Sequence, residues 1–197
     1  YVHRLTPHEG TFNVTQDSFY KIKAIDMDAD GNSRMYVTDW KNGGYRFSRP
    51  DVGSVSLITF PGKTAAKFPD LAKASDADLL RHIVSDSAVC RINTQREILK
   101  RSAGGHIDGL ARLTADKSIH LHGRIAALFT LKQLAGESVS KTIARLTLDE
   151  TIREWAYRAL ADRKRQTGGV NSALFVKALR DKNPRVRLQA VIGLARL

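Results

Sequence analysis

The chain has 197 residues, 42% of them hydrophobic, and a formal net charge of +12; the length suits one or two domains and the hydrophobic content is that of an ordinary folded protein. No apolar run reaches the roughly eighteen residues of a membrane span, and the single cysteine, Cys90, excludes an intrachain disulfide, a CxxC zinc site and a CxxCH haem attachment within this stretch. The charge is uneven: residues 1–69 hold 9 Lys+Arg against 7 Asp+Glu, and residues 70–197 hold 23 against 13, so the second part either attracts nucleic acid, an acidic protein or an anionic membrane, or uses Arg and Lys as helix formers on a solvated face.

The N-terminal Tyr1-Val2-His3-Arg4 carries neither an initiator Met nor a charged-then-apolar export pattern, and the chain reads as a piece of a longer one. Residues 1–62 form a β segment. Phe19 to Met27 and Met35 to Trp40 concentrate β-formers around Asp28-Ala29-Asp30-Gly31-Asn32, a strand–turn–strand pattern. Asn42-Gly43-Gly44 and Arg49-Pro50-Asp51 precede a further strand at Val55 to Phe60, which Pro61-Gly62 ends. Asn13-Val14-Thr15 is a formal glycosylation sequon. Residues 63–75, with Pro69, read as a linker, and Ser75 caps the first helix with Asp78 at its N3 position.

Asp26, Asp28, Asp30 and Gly31 spell DxDxDG, the opening of a calcium loop. The twelfth position is Val37, where an EF-hand needs a bidentate Glu, and no helix flanks the segment. A hairpin turn is therefore the preferred reading, with calcium on Asp26, Asp28 and Asp30 as the minor alternative. Asp39, beside Trp40, reads as a structural hydrogen-bond acceptor at a strand end.

Residues 76–197 carry a signature that recurs four times. Arg91, Arg124, Arg153 and Arg187 are followed three residues on by Thr94, Ala127, Ala156 and Ala190, and seven residues on by Ile98, Leu131, Leu160 and Leu194. The intervals of 33, 29 and 34 residues are those of a helical repeat array, and a small residue at +3 admits a close partner helix. Helix pairs are expected at 76–85 with 88–101, 106–115 with 119–135, 138–147 with 150–165 and 172–181 with 184–197. Gly104-Gly105, Gly136 and Gly168-Gly169 separate them, and Pro184 opens the last helix. The expected fold is mainly α, a solenoid of about four helix pairs preceded by a small antiparallel β segment.

Cys90 occupies the place that Ile152 and Val186 hold in later repeats and is expected to be a buried small hydrophobe. In the second helices, positions +2, +5 and +9 face outward. Trp155, Arg158, Arg96 and Lys100 fall there and are the candidate partner-binding residues, an aromatic among cations. For Trp155 the competing role is packing against the neighbouring repeat. His120 and His122, two apart, point to different faces and are expected at the surface or in a cap. No Ser/His/Asp order, Gly-rich phosphate loop or isolated carboxylate pair is present, so this stretch offers no catalytic motif.

The run Pro184 to Leu194, with Asp181 before it, resembles a HEAT repeat, in which an Asp and the second-helix Arg form a ladder between units. Asp26 to Tyr45, followed by Asp51-Val52-Gly53 and a strand, is similar to the closing propeller blade of membrane-bound dehydrogenases with a PVC-type haem-binding domain. Phe68-Pro69-Asp70-Leu71 and Gln95-Arg96-Glu97-Ile98-Leu99 also fit the junction of that family. The resemblance implies a non-catalytic spacer and docking segment of an exported, periplasmic oxidoreductase-like protein, with other domains of that protein as partners and no haem in this stretch. The alternative is a nucleic-acid-binding solenoid like the HEAT-like DNA glycosylases. A third is a cytosolic scaffold for acidic proteins.

Overall fold

The computed structural model describes residues 2–18, 23–41, 52–59, 61–62, 64, 67–102 and 104–197. The chain forms two compact units, residues 1–6 with 13–69, and residues 7–12 with 70–197. Phe19 to Ile22, Asn42-Gly43-Gly44, Arg49-Pro50-Asp51 and Phe60 lie outside the described residues.

Five strands are present among the described residues. β1 (Val2–His8) and β2 (Thr11–Asp17) pair across Glu9-Gly10. This hairpin gave no signal in the sequence, because β2 is exposed along its whole length and so lacks the alternation that marks a half-buried strand. β3 (Ala24–Ala29), β4 (Met35–Asp39) and β5 (Ser54–Ile58) form an antiparallel sheet in that order. β3 continues through Asp28 and Ala29, so the turn begins at Asp30, later than the sequence placed it. There the Asp30 carboxylate accepts from the Asn32 and Arg34 amides, both at 2.9 Å, and Ser33 takes a positive φ of 60°.

Within the first unit, Phe68 closes onto this turn. Its amide donates to Asn32 Oδ1 at 2.7 Å, and a Cβ placed on Gly31 would lie 2.8 Å from the Phe68 ring. Only glycine admits that approach. Val37 and Asp39 are buried in the same sheet, and Asp39 accepts from the Lys41 amide at 2.6 Å and the Ser54 hydroxyl at 2.7 Å. These are the strand-end hydrogen bonds that its position predicts.

The second unit is helical. α1 (Asp76–His82) and α2 (Ala88–Arg101), α3 (Ile107–Ala115) and α4 (Leu121–Ala135), α5 (Ser140–Leu146) and α6 (Arg153–Leu160), and α7 (Ser172–Ala178) and α8 (Pro184–Leu194) pack in pairs. The second helices α2, α4, α6 and α8 then contact one another in succession. The architecture is mainly α with a small antiparallel sheet.

Local signals explain several of the ends. Ser75 and Asp78 make a reciprocal capping box, Asn183 caps α8 with Pro184 at its first position, and Gly136 stops α4 at a φ of 59°. α6 ends at Leu160, short of the expected 165; Lys164–Gln166 is a separate 3-10 turn.

Thr94, Ala127, Ala156 and Ala190 are fully buried, as are Ile98, Leu131 and Leu160, while Leu194 is half-buried. Cys90 is buried against the His82 carbonyl and Thr94. Replacing Ala156 by Leu is expected to overpack this layer and cost about 1–3 kcal/mol in chemical denaturation. An unchanged midpoint would contradict the register.

Candidate partner-binding face

The four aligned arginines do two different things. Arg124 is 2% exposed; its Nε donates to the Thr114 carbonyl at 2.9 Å, Nη1 to Thr151 Oγ1 at 2.8 Å and Nη2 to Asp149 Oδ2 at 2.7 Å. Asp149 lies in the turn of the next helix pair, where its other oxygen accepts from the Thr151 amide and hydroxyl. Arg153 repeats this one pair later, donating from Nη2 at 2.8 Å to Asp181, which also accepts from the Asn183 amide. Each Asp thus shapes its own turn and ties it to the preceding pair. Arg91 and Arg187 instead donate to carbonyls of their own turns, Ser85 and Asp86 in one case, Asp181 and Lys182 in the other.

Burial would raise the Asp149 carboxyl, but the hydrogen bonds from Arg124 and Thr151 outweigh it and hold the group down to about 2. Arg185 adds a further tie between pairs, its Nε lying 2.9 Å from both oxygens of Glu154. Lys132 is fully buried and, among the described residues, has no carboxylate in contact; it donates to the Gly136 carbonyl at 3.2 Å and the Gln166 carbonyl at 2.9 Å. Burial pushes its pKa down. It stitches the end of α4 to the turn after α6, a role that no sequence pattern announces.

Outward positions of α4 and α6 come together at one place. Trp155 meets Phe129 of α4 edge to face, with centroids 6.5 Å apart and planes at 83°. The Arg158 guanidinium lies 5.7 Å from the Trp155 ring centre and 5.9 Å from that of Phe129. Trp155 is half-buried and Arg158 exposed, so the pair both packs across the α4–α6 seam and presents a cation at its surface. Phe129 stands at the outward +5 position of its repeat, but only the packing of α4 against α6 brings it to Trp155 and Arg158.

A cleft of about 280 Å³ opens beside Arg158, lined also by Ala161, Asp162, Gln189, Ile192 and Arg196. Arg196 is engaged, donating to the Ala161 and Asp162 carbonyls at 2.9 and 3.0 Å. Arg96 and Lys100 are exposed on α2, two pairs away from α6, and Lys100 lies 3.8 Å from Glu97. They do not join the Trp155–Arg158 cluster.

His120 caps α4, its Nδ1 accepting from the Gly123 amide at 3.1 Å while Nε2 meets the Val84 carbonyl at 2.8 Å. Of the calcium candidates, Asp26 and Asp28 lie exposed on β3, each carboxylate accepting from the next amide, and Asp30 pairs with Arg34 at 2.6 Å. The Arg34 contact supplies the charge that a cation would otherwise supply, and among the described residues no three such side chains cluster. Excess calcium is expected to leave the melting temperature unchanged; a rise abolished by Asp28→Ala would establish a site.

No helix among the described residues is long and apolar enough to cross a membrane. No protein family, curated protein or solved structure matches the chain.

Proposed function

We propose that this chain is a non-catalytic spacer and docking segment, a HEAT-like solenoid of four helix pairs behind a blade-like β unit, belonging to an exported oxidoreductase-like protein of the membrane-bound dehydrogenase family with a PVC-type haem-binding domain. The observation that carries the solenoid is the pair of equivalent rungs, Arg124 to Asp149 and Arg153 to Asp181, each joining a second helix to the turn of the next pair. A repeated contact between neighbours is how such arrays hold together. The resemblance at Asp26 to Tyr45 and at Phe68 to Leu71 supports the family, and the Trp155–Arg158 surface supports docking. On this reading the partners are other domains of the same protein, in the periplasm.

The test is the native gene product, detected with an antibody to this chain. A longer, extracytoplasmic polypeptide that stains for covalent haem is expected; a cytoplasmic product without haem would sink the assignment.

The charge of residues 70–197 favours a second reading, a nucleic-acid-binding solenoid. Its mark is affinity that falls steeply with salt, because each phosphate contact releases counterion. Changing Arg96, Lys100 and Arg158 to Ala would then flatten that slope, and Trp155→Ala would cost about 1–3 kcal/mol of single-strand stacking. The spacer reading expects only the weak association of any basic surface, about 10–100 micromolar or worse at physiological salt.

A further inference from the structure

We infer that the cleft between α6 and α8 binds a peptide segment in which an acidic side chain stands next to an aliphatic one. The inference rests on the docking reading above and gives it a ligand.

Arg158 carries the argument. Most arginines around it are spent within the fold: Arg124, Arg153 and Arg185 on carboxylates, Arg187 and Arg196 on carbonyls. Arg158 is exposed, enters no ion pair among the described residues, and is steadied by the Phe129 and Trp155 rings. A planar guanidinium held in place loses little freedom on meeting a carboxylate, and its fork suits two parallel hydrogen bonds. Beside it, the cleft has an apolar part in Ala161 and Ile192 and a volume of about 280 Å³, near the lower end of ligand pockets. That space takes an aliphatic side chain.

The same features disfavour a polyphosphate backbone. Arg196, the cleft's other cation, already serves two carbonyls. One available guanidinium suits one acidic side chain, whereas a nucleic-acid strand needs a row of cations. The broader groove along α7 has an exposed apolar wall in Leu148, Val176 and Leu179 and two cations, Lys177 and Arg180, but among the described residues neither cation lies over an aromatic ring as Arg158 does.

The test pans the whole chain against a random peptide library displayed on phage, then titrates a synthetic consensus peptide while following tryptophan emission. Enriched sequences are expected to pair Asp or Glu with Leu, Ile or Val. Arg158→Gln, on the surface, should leave the circular dichroism unchanged and weaken binding about tenfold or more. Replacing the peptide's acidic residue by its amide should cost the wild type as much and the Arg158→Gln variant little. Arg158→Lys should not restore affinity, because an ammonium lacks the fork. A single-stranded oligonucleotide should fail to displace the peptide at physiological salt. Enrichment of peptides that ignore Arg158→Gln, or their displacement by the oligonucleotide, would overturn this site and leave a docking surface elsewhere. Enrichment of none would overturn both.

Discussion

Replacing Arg124 by Ala is expected to cost about 3–5 kcal/mol of folding stability, read from urea or guanidinium denaturation. The guanidinium is 2% exposed and serves three acceptors at once. Its removal strands the Asp149 carboxylate and the Thr114 carbonyl away from solvent, and the desolvation cost of a deserted charge exceeds the worth of the lost bond. Arg124→Lys should recover only part, since one ammonium cannot reach three diverging acceptors. Arg124→Met combined with Asp149→Leu should be much milder than the single change, because no charge is left unpaired. A double variant as damaged as Arg124→Ala would mean that the site matters for shape and not for charge.

The same pair sets an acid limb. The folded Asp149 carboxyl sits at about 2, below its ordinary range, so the folded state binds its proton less readily than the unfolded state does. The stabilisation is present above about pH 4 and is lost as pH falls from there towards 2, on the order of 2 kcal/mol in all. Stability measured across that window should fall more gently in Asp149→Asn, which is already weakened at neutral pH.

Phe175→Ala is expected to cost about 3–5 kcal/mol. Its ring is fully buried, meets Tyr157 at 5.3 Å between centroids and 68° between planes, and lies directly over Gly193 of α8. The ring occupies the place that a Cβ on residue 193 would take, so Gly193→Ala forces ring and methyl into the same volume. That should cost about 1–3 kcal/mol, despite the better helix propensity of Ala. With Phe175→Leu the smaller side chain leaves room, and Gly193→Ala should become nearly neutral or stabilising. The two changes share one contact and must couple; a denaturation cycle with additive losses would show that they do not.

The repeated signature of Arg, a small residue at +3 and an aliphatic one at +7 determined the four helix pairs, because burial on a helix imposes a period that neighbouring chemistry hardly disturbs. Ser75, Gly136 and Pro184 marked ends for equally local reasons, since caps, a left-handed stop and a missing amide act within one turn. Met35 to Trp40 likewise held its own pattern as β4. The candidate Trp155 and Arg158 were visible as outward positions of one helix. Other features depended on the packed chain. Arg124 and Arg153 bridge to the next pair while Arg91 and Arg187, in the same register, close their own turns; which of these happens depends on where the following turn places its Asp, and the arginine's own sequence says nothing of that. Nor does sequence bring Phe129 beneath Arg158, separate Arg96 and Lys100 from that cluster, or bury Lys132 against two carbonyls. Periodicity reports which face of one helix is buried, but a site assembled from several helices depends on how they pack, and that was decided only in three dimensions.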